Sequence, residues 1–130
     1  MSAAENKKLI LDAFNSWVRG DGSVIDLFSD DVKWTVIGST PVSRAYQSKR
    51  EFLDGAVKPL TEKLSGAIKP ALRALTAEDD RVVLEWQGQT SGKNGKPYYQ
   101  TYCWVMKIQN GKVIEGIAYL DTELISNLWK

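Results

Sequence analysis

The segment YYQTYCWVMKIQNGKVIEGIAYL, residues 98–120, constrains the fold most. It holds two alternating apolar runs joined by Asn110-Gly111. Asn-Gly is the strongest short hairpin signal, because a tight two-residue turn needs positive φ at both central positions. The pattern predicts antiparallel strands at 98–109 and 112–120. Two earlier runs, 68–77 and 81–90, are set off by the turns AEDD and SGKNGKP, so four strands form an antiparallel meander. Strands of about a dozen residues exceed the usual five or six. A long sheet carries its twist far enough to curl, which leaves a hollow on one side.

The first half supplies what fills the hollow. Ser2 and Glu5 form a capping box ahead of Leu9, Ile10, Ala13, Phe14, Trp17 and Val18 at helical spacing. Glycines in GDG, residues 20–22, end that helix. SVIDLF, 23–28, reads as a short helical turn capped by Ser23. DVKWTVIG, 31–38, reads as a strand with Val32, Trp34 and Val36 on one face, and STPVS, 39–43, as a loop. A second capping box, Ser48 with Glu51, opens a helix through Phe52, Ala56, Leu60 and Leu64, and Pro59 should kink it. The class is therefore α+β: a curved antiparallel (mixed) sheet wrapped around the N-terminal helices as a cone, in one domain over 1–130.

Composition narrows the chemistry. There is no histidine and one cysteine, Cys103, which removes histidine triads, imidazole metal sites and thiolate clusters. Neither a metal nor an organic cofactor is implied. Seventeen basic and sixteen acidic residues give a net charge of +1, no footprint for nucleic acid. No apolar run reaches the roughly 18 residues of a membrane span, and the charged amphipathic N-terminus is no signal peptide. These features predict a soluble cytoplasmic protein with neither membrane nor nucleic-acid partners. Acid–base work falls to Asp, Glu, Tyr, Lys or Cys103.

Strand parity selects candidates. Lys107 and Gln109 suit solvent, so Gln100, Tyr102, Trp104, Met106 and Ile108 face inward. In the last strand the larger rings are assigned to the helix-filled side, which turns Ile117, Tyr119 and Asp121 inward and Ala118 and Leu120 outward. The mouth of the cone then gathers Trp17, Trp34 and Tyr46 with Gln100, Tyr102, Trp104 and Tyr119 around an apolar ligand. Asp121 stands among them as the proton-moving residue. It also precedes TELISNLW, a short helix for which Asp is a favoured N-cap. The outward set, Cys103, Val105, Ala118 and Leu120, is too apolar for open water and predicts a homodimer through the convex sheet face.

The element order, together with FNSWVRGDG, LFSDDVKWTVIG, REFLDGAVKPL and YCWVMKIQNGKVIEGIAYLDT, resembles the nuclear-transport-factor-2-like superfold. Within it the chain is similar to the SnoaL-like polyketide cyclases and their relatives, ketosteroid isomerase and limonene epoxide hydrolase. The resemblance spans nearly the whole chain and is most specific at YLDT, whose aspartate matches an acid–base residue of the cyclases and epoxide hydrolases. Thr35, Val36 and Ile37 stand where ketosteroid isomerases carry their basic aspartate, and YYQTYCWVMK lacks the arginine and aspartate of the epoxide hydrolases. Only Asp121 carries over. The resemblance implies an isomerase, cyclase or hydrolase acting on an apolar carbonyl or epoxide. A non-catalytic binding protein, and a structural dimer with a filled cavity, fit the same residues.

Overall fold

In the computed structural model, which describes residues 1–130, the Ser2 hydroxyl accepts the Glu5 amide at 3.1 Å and the Glu5 carboxylate accepts the Ser2 amide at 2.9 Å. That box starts helix α1 (Ala3–Arg19), which ends at Gly20 with φ of 82°. Ser23 caps a 3₁₀ turn, Val24–Leu27. Strand β1 (Phe28–Val36) begins three residues before its predicted start and buries Phe28, Val32, Trp34 and Val36. A short strand, β2 (Arg44–Tyr46), pairs with its end, a feature with too few residues to show an alternating pattern.

The second helical region starts at Ser48, whose hydroxyl accepts the Glu51 amide. It runs as α2 (Lys49–Phe52), a π-helical turn (Leu53–Val57) and α3 (Lys58–Lys63). Pro59 is the physical cause expected for such an irregularity, since it has no N–H to offer Gly55 four residues earlier. The Tyr46 hydroxyl shares its one proton between the Val42 carbonyl, at 2.6 Å, and the Gly55 carbonyl, at 3.1 Å.

Strands β3 (Lys69–Glu78), β4 (Arg81–Ser91), β5 (Pro97–Gln109) and β6 (Lys112–Leu120) form the predicted meander. The whole sheet is ordered β2-β1-β6-β5-β4-β3, and β1 lies parallel to β6. It is mixed, curved and open. A last helix, α4 (Thr122–Asn127), takes Asp121 as its N-cap. No helix is long and apolar enough to cross a membrane.

Register decides which side chains share the concave face. Trp34 stands beside Gly116, which stands beside Met106 and then Val82. The next row runs Val36, Ala118, Trp104, Leu84, and the one after it Leu120, Tyr102, Trp86. The inward assignment for β5 therefore holds: Gln100, Tyr102, Trp104, Met106 and Ile108 are all buried. The assignment for β6 is reversed. Gly116, Ala118 and Leu120 face inward, and Ile117 and Tyr119 face out, with Tyr119 43% exposed. The reason is steric. β6 lies between two strands that project Trp34 and Trp104 over it, and the middle strand must then be small. A Cβ on Gly116 would collide with the six-membered ring of Trp34.

Candidate functional site

Between the concave sheet and helices α2 and α3 lies a cavity of about 330 Å³, lined by 22 residues of which 19 are hydrophobic. The interior of the cone is thus not filled by its own side chains. Each wall follows from an element already described. α1 contributes Trp17; the π-turn and α3 contribute Ala56, Val57 and Leu60; α4 contributes Ile125. Thr61, Gly66 and Ala67 line the cavity and are also exposed, so its mouth lies between α3 and β3.

Four of the predicted site residues meet here: Trp17, Trp34, Tyr102 and Trp104 all line the cavity. With Trp86 they form one aromatic assembly. Tyr102 stacks on Trp86 at 4.0 Å with 6° between planes. Trp104 meets Trp86 and Trp34 edge to face at 5.3 and 5.2 Å, and Trp17 meets Trp86 at 4.6 Å. Offset-stacked and edge-to-face pairs match the positive ring edge to the negative face. The indole nitrogens of Trp34, Trp86 and Trp104 are buried with no hydrogen-bond partner.

The other four lie elsewhere. Tyr46 is buried, with its hydroxyl spent on the Val42 and Gly55 carbonyls. Tyr119 is on the convex face. Asp121 is exposed, and its Oδ1 accepts the Glu123 amide at 3.0 Å as the cap of α4. Gln100 is buried behind the cavity and clamps the Asp121 backbone: Oε1 accepts its N–H and Nε2 donates to its carbonyl, both at 2.8 Å.

Among the lining residues that are not sequence candidates, Trp86 and Tyr98 belong to the aromatic and phenolic wall. Each was legible by parity. Trp86 shares a face with Val82 and Leu84, and Tyr98 shares one with Gln100 and Tyr102. Tyr98 matters most, because its hydroxyl lies 2.7 Å from that of Tyr102. Burial raises both phenols, Tyr102 well above the ordinary value of 10.0 and further so through its neighbour Tyr98. Both remain protonated at neutral pH and act as hydrogen-bond donors. Two phenols carry two protons, and one bond between them consumes one. The lining contains no carboxylate, lysine or arginine. No cluster of three or more potential metal ligands exists.

A SnoaL-like domain model matches residues 10–116. The chain belongs to the SnoaL-like domain family. No curated protein sequence matches it. Among solved structures, Bal32a from a soil-derived mobile gene cassette is similar at TM-score 0.80 and 21% identity, over 98% of both chains. An NTF2-like protein from Burkholderia thailandensis E264 is similar at 0.79 and 19%, over 96% of this chain and 97% of that one. A proposed SnoaL-like polyketide cyclase from Jannaschia sp. CCS1 follows at 0.73 and 17%, over 95% and 93%. Identities this low establish the shared fold, the nuclear-transport-factor-2-like one expected from the sequence.

Proposed function

We propose that this SnoaL-like protein binds a small, neutral, mostly apolar molecule that carries a hydrogen-bond-accepting oxygen. The observation that carries the reading is the Tyr98–Tyr102 pair in the wall of an otherwise apolar 330 Å³ cavity. The volume lies within the range of small-molecule sites, about 300–1,000 Å³. The aromatic walls suit an apolar body, and the unspent phenolic proton suits a carbonyl oxygen. An ammonium or carboxylate would find no opposite charge in the lining, and its desolvation would go unrepaid. Thermal shift with uncharged aryl ketones tests the reading. A ligand at 100 times its Kd stabilises by about 2.7 kcal/mol. A panel in which no apolar ketone raises Tm would overturn it.

A second reading is an acid–base enzyme, an isomerase, cyclase or hydrolase type, in which Asp121 moves the proton. Gln100 favours it, because its amide joins the Asp121 backbone to the tyrosine pair. The pair would polarise the substrate carbonyl, and the Asp121 carboxylate would have to exchange its bond to the Glu123 amide for a place inside. Deuterium uptake at the methyl group of bound 2-acetylnaphthalene in D₂O tests this. Exchange no faster than in buffer leaves binding as the function.

We also propose that a second copy of the chain covers the convex face. Val83, Val105 and Ile117 lie side by side there, half-buried. The adjoining row, Arg81, Lys107, Glu115, Lys33, carries both signs, which a twofold-related copy can match.

A further inference from the structure

We infer that Gln100 is a positioning residue that sets the direction of the hydrogen-bond chain, so that Tyr102 presents its hydroxyl proton to the cavity. The inference rests on the ligand reading above.

The groups of fixed polarity around Gln100 are backbone amides. Gln100 is 1% exposed, and its Oε1 lies 2.8 Å from the Asp121 N–H and 3.1 Å from the Thr101 N–H. Both are donors, so the atom between them is the carbonyl oxygen and the amide cannot be turned over. Nε2 then points the other way, and it has two hydrogens and two neighbours. One goes to the Asp121 carbonyl at 2.8 Å. The other faces the Tyr98 hydroxyl at 3.5 Å, a long bond in the resting protein.

Tyr98 is thereby approached by a donor. A phenol oxygen is conjugated with its ring and accepts best in the ring plane, on the side its own proton does not occupy. With that side turned to Gln100, the Tyr98 proton points to Tyr102, 2.7 Å away. Tyr102 accepts, and its own proton has no protein acceptor. Its ring lies flat on Trp86 in the cavity wall. The chain thus runs from Gln100 through Tyr98 and Tyr102 to the ligand. Each link polarises the next, so the last donor is strengthened. Burial, which raises both phenols, keeps both protons in place.

Two matched probes test the direction: 2-acetylnaphthalene, and 2-ethylnaphthalene, which has no oxygen. The readouts are Kd from quenching of the indole fluorescence and the carbonyl stretch of the bound ketone by infrared difference spectroscopy. The native protein should prefer the ketone by about threefold to tenfold, one net hydrogen bond, and should lower its stretching frequency. Tyr102→Phe should abolish both effects. Tyr98→Phe shortens the chain and should weaken both without abolishing them. Gln100→Glu at pH 8 offers a carboxylate where Nε2 was. Tyr98 should then donate to it and Tyr102 to Tyr98, so the frequency shift disappears with both tyrosines present and 2-ethylnaphthalene still bound.

The inference falls if Tyr98→Phe abolishes the shift while Tyr102→Phe keeps it, or if Gln100→Glu retains it. Should Gln100→Glu not fold, the two phenylalanine variants decide the direction by themselves. A native protein that binds both probes equally, with no frequency shift, overturns the inference and leaves the apolar cavity standing. One that binds neither overturns the ligand reading, and the inference with it.

Discussion

The six-membered ring of Trp34 occupies the space that a Cβ on Gly116 would fill. The two residues are register partners across the parallel β1–β6 pair, and the glycine lets the indole lie against the sheet as part of the cavity floor. Gly116→Ala should push the ring towards the cavity. Overpacking of this kind costs about 1–3 kcal/mol. Urea denaturation should show that loss, and the variant should bind 2-ethylnaphthalene more tightly than it binds any longer polycyclic probe accepted by the native protein. Unchanged stability together with unchanged ligand size range would mean that the ring yields in another direction.

Tyr46 supports the irregular helix rather than the ligand. Its hydroxyl donates to the Gly55 carbonyl, four residues before a proline that cannot. Tyr46→Phe leaves the Val42 and Gly55 carbonyls short of a donor, at a cost of about 1–3 kcal/mol. Pro59→Ala restores a backbone N–H near Gly55. The cost of Tyr46→Phe should therefore shrink in the Pro59→Ala background, which a double-mutant cycle in urea measures. Strict additivity would show that the proline and the tyrosine are unconnected.

The fold was legible because its signals are local. Asn110-Gly111, the Ser2–Glu5 and Ser48–Glu51 caps and the alternation along β4 and β5 each specify structure within a few residues. β2 is not legible because three residues carry no period. The orientation of β6 is not legible from residue size within one strand. Its inward residues are small on account of Trp34 and Trp104 in the neighbouring strands, and pairing across β1 and β6 is not written in either segment alone. The cavity was half legible for the same reason. Trp17, Trp34, Tyr102 and Trp104 follow from periodicity, whereas Gln100, of inward parity, and Tyr46, in a segment with no period, both spend their polar atoms on backbone that only the folded chain brings near.

The convex face gives a test of assembly. Val105 is half-buried in the middle of the row formed with Val83 and Ile117. Sedimentation equilibrium should give a dimer at micromolar concentration. Val105→Glu should convert it to a monomer whose cavity still binds 2-ethylnaphthalene. A monomeric native protein would show that the face is bare, and a dimeric Val105→Glu protein that the interface lies elsewhere.

Asp121 separates binding from catalysis. The carboxylate is outside the cavity, and one oxygen accepts the Glu123 amide at the start of α4, whose Ile125 lines the cavity. Asparagine is as good an N-cap as aspartate, whereas alanine costs about 1 kcal/mol. Asp121→Asn should therefore unfold at the native urea midpoint, and Asp121→Ala at a lower one. If the protein only binds, both variants should keep the native affinity for 2-acetylnaphthalene, apart from a small loss in Asp121→Ala as α4 loosens around Ile125. If Asp121 moves a proton, Asp121→Asn should slow methyl deuterium exchange in the bound ketone by about 10²–10⁴-fold, the usual worth of a general base, with binding intact. The geometry of the cap favours the first outcome, since the backbone of Asp121 is held by Gln100 while its side chain is turned to solvent and to Glu123. Exchange that is fast in the native protein and lost in Asp121→Asn would show that the carboxylate leaves its cap when a ketone is bound.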